Sequence, residues 1–517
     1  MLGIHINAVY PSFMFAIPKM PPPLYSQTYE PSVKEQVIEA VDNLIQHLPA
    51  RLLDTKTCRL HSRVELKVAF IQSQQFHSLV ITLLPQPASQ RYGIILPAFS
   101  QFFEYAMLSH RWQEGEPLYN DVEPLPLSDE SRKPSRIRRG MAKLHNFLAT
   151  ANKMGFRWAW SDTCCIDRKN AVEHQESISS MYKWYRNSTV TIVYLADVCN
   201  SSESQLLRSE WFRRIWTLQE MLAPRALGLF NKDWTPFRKC NPSDRNDKLN
   251  DRMLELLESA SGVDIDSLCD FTPGTSHARE RLTWASTRKA SRNEDLGYAL
   301  MNLFNVRLIV HYGEGAAAFG RLIFSLLMST KDFSLLDWVD TGHSLRSPIN
   351  SALPALPSYF YVPGRQPPFK PYAYGPTRNT LPQPLELTIP CFTYKIVTAD
   401  ATYKTKGSQG GIKSCNVSAL GLKPLHISTT ENPSRWQRDV AGRSSQCILA
   451  RPWHLDDVSV PEDSFHAMML VQNHDGSYRR VSTTAPIRAT VCKPRICSLT
   501  RLLGWHPRPQ IQSLNIV

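Results

Sequence analysis

The chain has 517 residues, of which 42% are hydrophobic and 10% aromatic. This composition predicts roughly two to four domains with hydrophobic cores and argues against a disordered chain. Every apolar run of about 18 residues is interrupted by charge, so we expect no membrane-spanning helix. The net charge of +13 is dispersed, and no zinc-finger or RNA-binding signature accompanies it. We therefore expect no specific nucleic-acid partner.

The cysteines and the N-terminus indicate where the protein acts. The eleven cysteines are odd in number and form neither a CxxC pair nor a zinc-binding spacing. This usage favours a reduced, cytoplasmic setting and predicts no metal site. Residues 1–23 lack a basic region before their apolar stretch and contain several prolines. We interpret them as a tail rather than a secretion signal.

Residues 1–100 form the first predicted segment. Within 31–53, apolar side chains at helical spacing predict one helix, which Pro49 ends. These side chains are Val33, Val37, Val41, Leu44 and Leu48. Between 70 and 101 the apolar and polar residues show no clear period, so this stretch is predicted to be irregular.

Strands and helices alternate over 101–235, the second predicted segment. Apolar and β-branched runs predict strands at 105–109, 156–161, 189–195 and 226–230. Apolar residues three and four apart predict helices at 141–154, 173–186 and 210–222. Because no hairpin turns join the strands, the order predicts an α/β fold with a parallel sheet flanked by helices.

The rest of the chain divides into three predicted segments. Residues 236–345 are interpreted as a helical extension, in which Ser291 and Glu294 have the spacing of a capping box. The Pro-rich residues 346–384 predict a linker. Short alternating segments after it predict a β-rich C-terminal domain over 385–517.

Several motifs in a fixed order make the chain similar to a known family. They are YAMLSHRW at 105–112, WSDTCCID at 160–167, SMYKWYR at 180–186 and WFRRIWTLQE at 211–220, followed by RLTWAS at 281–286, NEDLGYAL at 293–300 and YGEGA at 312–316. Through them the chain resembles fungal heterokaryon-incompatibility (HET) domain proteins over about 105–340. Related chains pass quickly from an RLLD segment, here 51–54, to the first motif. The intervening stretch is interpreted either as an insertion or as a translated intron.

The resemblance implies a TIR-like sheet, because HET domains are similar to TIR domains in their strand and helix order. TIR domains that cleave NAD place a catalytic glutamate four residues after a tryptophan, and Trp216 and Glu220 have this spacing. The resemblance thus implies Glu220 as the catalytic residue and NAD as the substrate, with no certain cofactor. A carboxylate here can bind ribose hydroxyls and stabilise an oxocarbenium-like centre. The alternative is a surface carboxylate paired with Arg213 or Arg214.

Four further residues are candidates for substrate binding: Ser109, Arg111, Asp162 and Trp216. The first three lie at or just after predicted strand ends, where open parallel sheets place their ligands. The alternatives are loop capping for Asp162, a structural ion pair for Arg111 and a core position for Trp216.

A thiol nucleophile is a weaker hypothesis. Cys164 or Cys165 would act with His110 as the base, but buried cysteines are commonly small hydrophobes.

The resemblance also implies a role in fungal self/non-self recognition, or vegetative incompatibility. In this innate immunity-like response, an effector triggers cell death or growth arrest. NAD cleavage is one mechanism, and a non-enzymatic assembly module that acts by self-association is the other. Expected partners are other incompatibility or signalling proteins, or a second copy of the chain.

Overall fold

The computed structural model describes residues 32–122, 135–239 and 246–330, together with shorter segments. These segments are 332–336, 338, 353–360, 387–402, 413–419, 423, 425–429, 447–452, 464–481, 483, 487–490 and 510–516. The chain divides into two compact units. Unit 1 comprises residues 1–211, 219–258 and 264–271, and unit 2 comprises 212–218, 259–263 and 272–517. The boundaries of the five segments stay predictions.

A six-stranded sheet forms the centre of unit 1. Its strands are β1 (Arg51–Asp54), β2 (Leu60–Ser62), β3 (Tyr105–His110), β4 (Trp158–Trp160), β5 (Val190–Tyr194) and β6 (Leu227–Phe230). The strand order is β2-β1-β4-β3-β5-β6. Strands β4, β3, β5 and β6 are parallel, whereas β1 is antiparallel to both of its neighbours. The predicted α/β fold with a parallel sheet is therefore confirmed, with an antiparallel pair in addition.

The order of the parallel strands defines a switch point at one edge of the sheet. Strand β3 is the first of the four in the chain, and the second and third, β4 and β5, lie on either side of it. Open α/β sheets bind ligands beyond the carboxyl ends of their strands, at the point where the strand order reverses. In unit 1 this point lies beyond His110 and Tyr194, the paired last residues of β3 and β5.

Eleven described helices lie wholly or partly in unit 1. They are α1 (Val33–Ile45), α2 (Arg63–Ile71), α3 (Gln74–Leu83), α4 (Ala88–Phe102), α5 (Tyr119–Val122), α6 (Ser135–Lys153), α7 (Ala171–Asn187), α8 (Glu203–Leu206), α9 (Trp216–Leu222), α10 (Asp251–Ser261) and α11 (Ile265–Cys269). Helix α6 joins β3 to β4, and α7 joins β4 to β5, as the alternation predicts. Among the described residues, no helix has both the length and the apolar character to cross a membrane.

The N-terminal part differs from its prediction. Helix α1 begins after a capping box of Ser32 and Glu35 and ends at Ile45, while residues 51–54 form β1. The stretch predicted to be irregular consists largely of α3, α4 and the end of α2, so that prediction was wrong. Each helix here buries only two or three apolar side chains, so no single period emerges. The buried rings Phe70, Phe76, Phe99 and Phe103 contribute to the packing of this region.

The helix predicted over 210–222 is shorter than expected. A 3-10 helix at Glu210–Arg213 precedes α9. Between them the Ile215 N–H donates to the carbonyl of Lys289 at 2.9 Å, a bond within unit 2 that replaces a helical one. This contact interrupts the helix and leaves α9 as a seven-residue element.

Unit 2 contains helices and a second sheet. Its helices are α12 (Ala278–Ala285), α13 (Asp295–Met301) and α14 (Ala317–Thr330). Its strands are β7 (Leu387–Thr402), β8 (Lys413–Ala419), β9 (Leu425–Thr429), β10 (Cys447–Pro452), β11 (Ser464–Gln472), β12 (Tyr478–Arg480), β13 (Ile487–Thr490) and β14 (Gln510–Ile516). They run in the order β10-β11-β12-β14-β7-β8-β9, and β13 pairs with β11. The predicted β-rich C-terminal region is confirmed.

The predicted capping box at Ser291 is absent from the structure. Helix α13 begins at Asp295, and its N-cap residue Glu294 has helical backbone angles without a side-chain cap. The Glu294 carboxylate instead accepts from the N–H groups of Gly313 and Gly315, at 2.8 and 3.0 Å. A tertiary contact has therefore replaced the local one.

Most of the predicted linker, 346–384, lies outside the described residues. Its described part, 353–360, is buried and ends in a 3-10 helix at Pro357–Phe360. Tyr359 stacks on Trp338 with the ring centroids 5.2 Å apart. This part is thus packed inside unit 2.

Candidate functional site

A buried carboxylate lies at the carboxyl end of β3. The Ser109 hydroxyl donates to Oε2 of Glu220 at 2.5 Å, and the indole N–H of Trp211 donates to the same Ser109 oxygen at 2.8 Å. All three residues belong to unit 1. The structure therefore brings together Ser109 and Glu220, which are 111 residues apart in the sequence.

Burial of α9 explains why Glu220 points inward. Leu218, Met221 and Leu222 are 0–1% exposed, so the helix is surrounded by protein on several faces. Glu220 itself is 5% exposed. The alternative of a surface carboxylate does not fit this exposure. A buried carboxylate requires hydrogen bonds, and the Ser109 hydroxyl supplies one of them.

A second polar cluster lies beside the first, at the ends of β3 and β4. Nε2 of His110 is 3.8 Å from Oδ1 of Asp162 and 4.0 Å from Oε1 of Glu116. Lys143, on α6, forms a buried ion pair with Glu116. Burial raises the pKa of Glu116, and the Lys143 charge offsets part of this increase. Two carboxylates, an imidazole and an ammonium group thus meet near the switch point of the sheet.

The other predicted substrate-binding residues have different surroundings. Asp162 is half-buried, and its Oδ2 accepts from the indole N–H of Trp112 at 2.7 Å. Arg168 lies over the ring of Trp112, 4.3 Å from its centroid. Arg111 is exposed in the loop after β3, and Trp216 is half-buried at the first position of α9. Of the predicted set, the structure directly joins only Ser109 and Glu220 among the described side-chain contacts.

The buried cysteines do not fit a nucleophilic role. Cys164 and Cys165 are 0–1% exposed. A hydrogen bond with Cys165, together with burial, raises the pKa of Cys164 well above the ordinary thiol value. Because the thiolate is the nucleophile, a thiol that stays protonated at neutral pH is inert.

Sequence reasoning missed Trp211, Glu116 and Lys143. Trp211 lies in the WFRRIWTLQE motif but was not singled out, because an indole donor cannot be distinguished by sequence from a core tryptophan. Glu116 and Lys143 are 27 residues apart, on a loop and a helix, so no local spacing connects them.

A known protein family matches part of unit 1. Residues 105–205 match the family model described as "Heterokaryon incompatibility protein (HET)". This match confirms the HET resemblance for that part of the chain.

A curated relative supports the same assignment. The chain is 32% identical over 222 residues to the vegetative incompatibility protein HET-E-1 of Podospora anserina. The match covers 41% of this chain but only 15% of the relative. No solved structure matches the chain significantly.

Proposed function

We propose that the chain acts in vegetative incompatibility, as an effector that triggers cell death or growth arrest. The match of residues 105–205 to the HET family model and the likeness to HET-E-1 support this role. The effector activity would lie in unit 1, which contains the matched residues.

The chemistry that the site supports best is TIR-like cleavage of NAD with Glu220 as the catalytic residue. The Ser109–Glu220 hydrogen bond carries this proposal, because it places a carboxylate at the carboxyl edge of a parallel sheet, where ligands bind. In the reaction, the bond between ribose C1′ and the nicotinamide nitrogen breaks, and nicotinamide leaves with the bonding pair. Water adds its hydroxyl to C1′ and releases a proton. The carboxylate stabilises the positive charge that develops on the ribose.

Because Glu220 is buried, a substrate would have to displace the Ser109 hydroxyl to bind its carboxylate. The Ser109 hydroxyl now occupies one acceptor oxygen of the carboxylate. A ribose hydroxyl is the same kind of donor, so it can replace the serine hydroxyl without leaving the carboxylate unpaired. A ligand would approach from beyond the carboxyl ends of β3 and β5, where open parallel sheets bind their ligands.

The test compares NAD consumption by the purified full chain and two variants. Glu220→Gln keeps an acceptor for Ser109 but removes the charge, so we expect turnover to fall at least ~100-fold. Glu203→Gln is the matched control, because Glu203 is an exposed carboxylate bound to Arg252. Its turnover should equal that of the wild type. Equal turnover in Glu220→Gln would exclude a catalytic role for Glu220.

The non-enzymatic alternative is favoured by one observation, the 5% exposure of Glu220. In that case the Ser109–Glu220 pair is structural and the module acts by self-association. Cell death in a fungal host would then persist in Glu220→Gln. It would be lost when exposed apolar residues of unit 1 are made charged, for example Val172→Glu, since Val172 is 79% exposed.

A further inference from the structure

A buried lysine holds the end of the helix that carries Glu220. Lys248 lies in a 3-10 helix (Asp247–Leu249) after β6 and is 4% exposed. Its ammonium group donates to the main-chain carbonyls of Leu222 and Pro224, at 3.4 and 2.8 Å. Leu222 is the last residue of α9, so the lysine binds the C-terminal end of this helix.

A second cation binds the same end of α9. Arg186, on α7, donates to the carbonyl of Ala223 at 3.5 Å, and its guanidinium is 3.6 Å from Asp270. The last carbonyls of a helix have no partner within it and carry partial negative charge. Lys248 and Arg186 together therefore donate hydrogen bonds to the three successive carbonyls of residues 222–224.

The shortness of α9 makes these contacts important for the site. A seven-residue helix is not stable alone, so contacts from outside must set its position. Glu220 lies two residues before Leu222, and its carboxylate is 2.5 Å from the Ser109 hydroxyl. A shift at the C-terminal end of α9 would therefore lengthen this hydrogen bond.

We propose that Lys248 is a positioning residue, whose bonds to Leu222 and Pro224 hold α9 where Glu220 meets Ser109. The importance of this for catalysis rests on the proposed function of Glu220, but the geometry can be tested without any activity.

The charge of Lys248 is sensitive to pH near neutrality. Burial, followed by the nearby charge of Arg186, lowers the pKa of Lys248 to about 7, while Cys269 acts in the opposite direction. Hydrogen bonds from a charged donor are roughly twice as strong as those between neutral groups. The bonds to α9 should therefore weaken as the pH rises through neutrality.

The indole N–H of Trp211 reports on the site, because it donates to the Ser109 oxygen that bonds Glu220. In a two-dimensional NMR spectrum of the ¹⁵N-indole-labelled full chain, its signal is assigned with Trp211→Phe. Lys248→Met should shift this signal and raise its solvent exchange rate at least ~10-fold, while the signals of Trp284 and Trp338 in unit 2 stay in place. Lys153→Met is the control, since Lys153 is an exposed lysine in the last turn of α6. An unchanged Trp211 signal in folded Lys248→Met would overturn the proposal.

A titration of the wild-type chain covers the case in which Lys248→Met does not fold. The Trp211 signal should change with a midpoint near pH 7. In Arg186→Met the midpoint should rise, because the positive charge that lowers the pKa of Lys248 has been removed. A midpoint that is the same in both proteins would contradict the proposal. If the signals respond as expected but the wild type consumes no NAD, the positioning role stands and the proposed enzymatic function fails.

Discussion

The two sheets of the molecule accommodate buried charge in different ways. At the carboxyl edge of the unit 1 sheet, Glu116, Lys143 and Glu220 are buried close to the ends of the parallel strands. In the described part of the unit 2 sheet, Arg480 on β12 is also buried. Its guanidinium donates to the main-chain carbonyls of Leu336 and Trp338.

The difference lies in what the buried groups can do. A guanidinium stays protonated in proteins, and the carbonyls around Arg480 are fixed partners, so this arrangement holds the chain together. Carboxylates, an imidazole and an ammonium group can change protonation and exchange hydrogen-bond partners. Burying them costs free energy. Their accumulation at the edge where open α/β sheets bind ligands therefore supports the proposed ligand site.

The largest effect should come from breaking the ion pair in unit 1. Lys143→Met leaves the buried Glu116 carboxylate without its cation, so the free energy of unfolding should fall by about 3–5 kcal/mol. Urea unfolding of the full chain measures this loss. In the double variant with Glu116→Gln the loss should be smaller, because the buried charge is gone while the acceptor for the Gln113 N–H remains. A fully stable Lys143→Met would mean that the pair is not buried in solution.

The corresponding change in unit 2 should have a smaller effect. Arg480→Met leaves two buried carbonyls without their donor, which should cost about 3 kcal/mol in the free energy of unfolding. Thermal unfolding of this variant can be compared with that of Arg488→Met, whose arginine is exposed on β13. The control should match the wild type. A change in NAD consumption by folded Arg480→Met would contradict the purely structural role of Arg480.

The pH dependence of the free energy of unfolding should reveal the buried Glu116 carboxyl group of unit 1. The pKa of Glu116 is raised above the ordinary value of 4.5, so the folded state binds this proton more tightly than the unfolded state does. The free energy of unfolding should consequently fall as the pH rises from 4.5 through the folded pKa, by at most ~1.4 kcal/mol per pH unit. Urea unfolding across this range should show the slope in the wild type. If Glu116→Gln shows the same slope, another group causes it.

The smallest change in the free energy of unfolding is expected at Ser32 and Ser291, the two serines with capping-box spacing. Ser32→Ala removes the capping box of α1 and should lower the free energy of unfolding by about 1 kcal/mol. Ser291→Ala should leave stability unchanged, because α13 has no side-chain cap. Equal losses in the two variants would show that Ser291 does cap a helix.

Local patterns were sufficient to predict much of the fold. Strands β3 to β6 are mostly apolar, and α7 has an apolar stripe that includes Ile178 and Met181, so their types could be derived from the sequence. Helices α2 to α4 were missed, because each buries only two or three apolar side chains and therefore gives no sustained period. The role of Glu294 was missed because its partners, Gly313 and Gly315, are brought to it by tertiary packing.

The candidate site was predicted in part. Ser109 and Glu220 were selected through the family resemblance and the expected strand end, and the structure places them in contact. Two contacts could not be predicted: the hydrogen bond from Trp211 to Ser109 and the bonds from Lys248 to the end of α9. Both depend on side-chain direction and burial, which no local sequence pattern encodes.

Binding of an unreactive NAD analogue tests the central claim most directly. The analogue carries a methylene group in place of the nicotinamide ribose ring oxygen, so it cannot form the oxocarbenium-like centre. When it is added to the ¹⁵N-indole-labelled chain, the Trp211 signal should shift saturably, because a ribose hydroxyl displaces the Ser109 hydroxyl from Glu220. A Trp211 signal that stays unchanged at saturating analogue would contradict the claim that this strand-end pair is the ligand site.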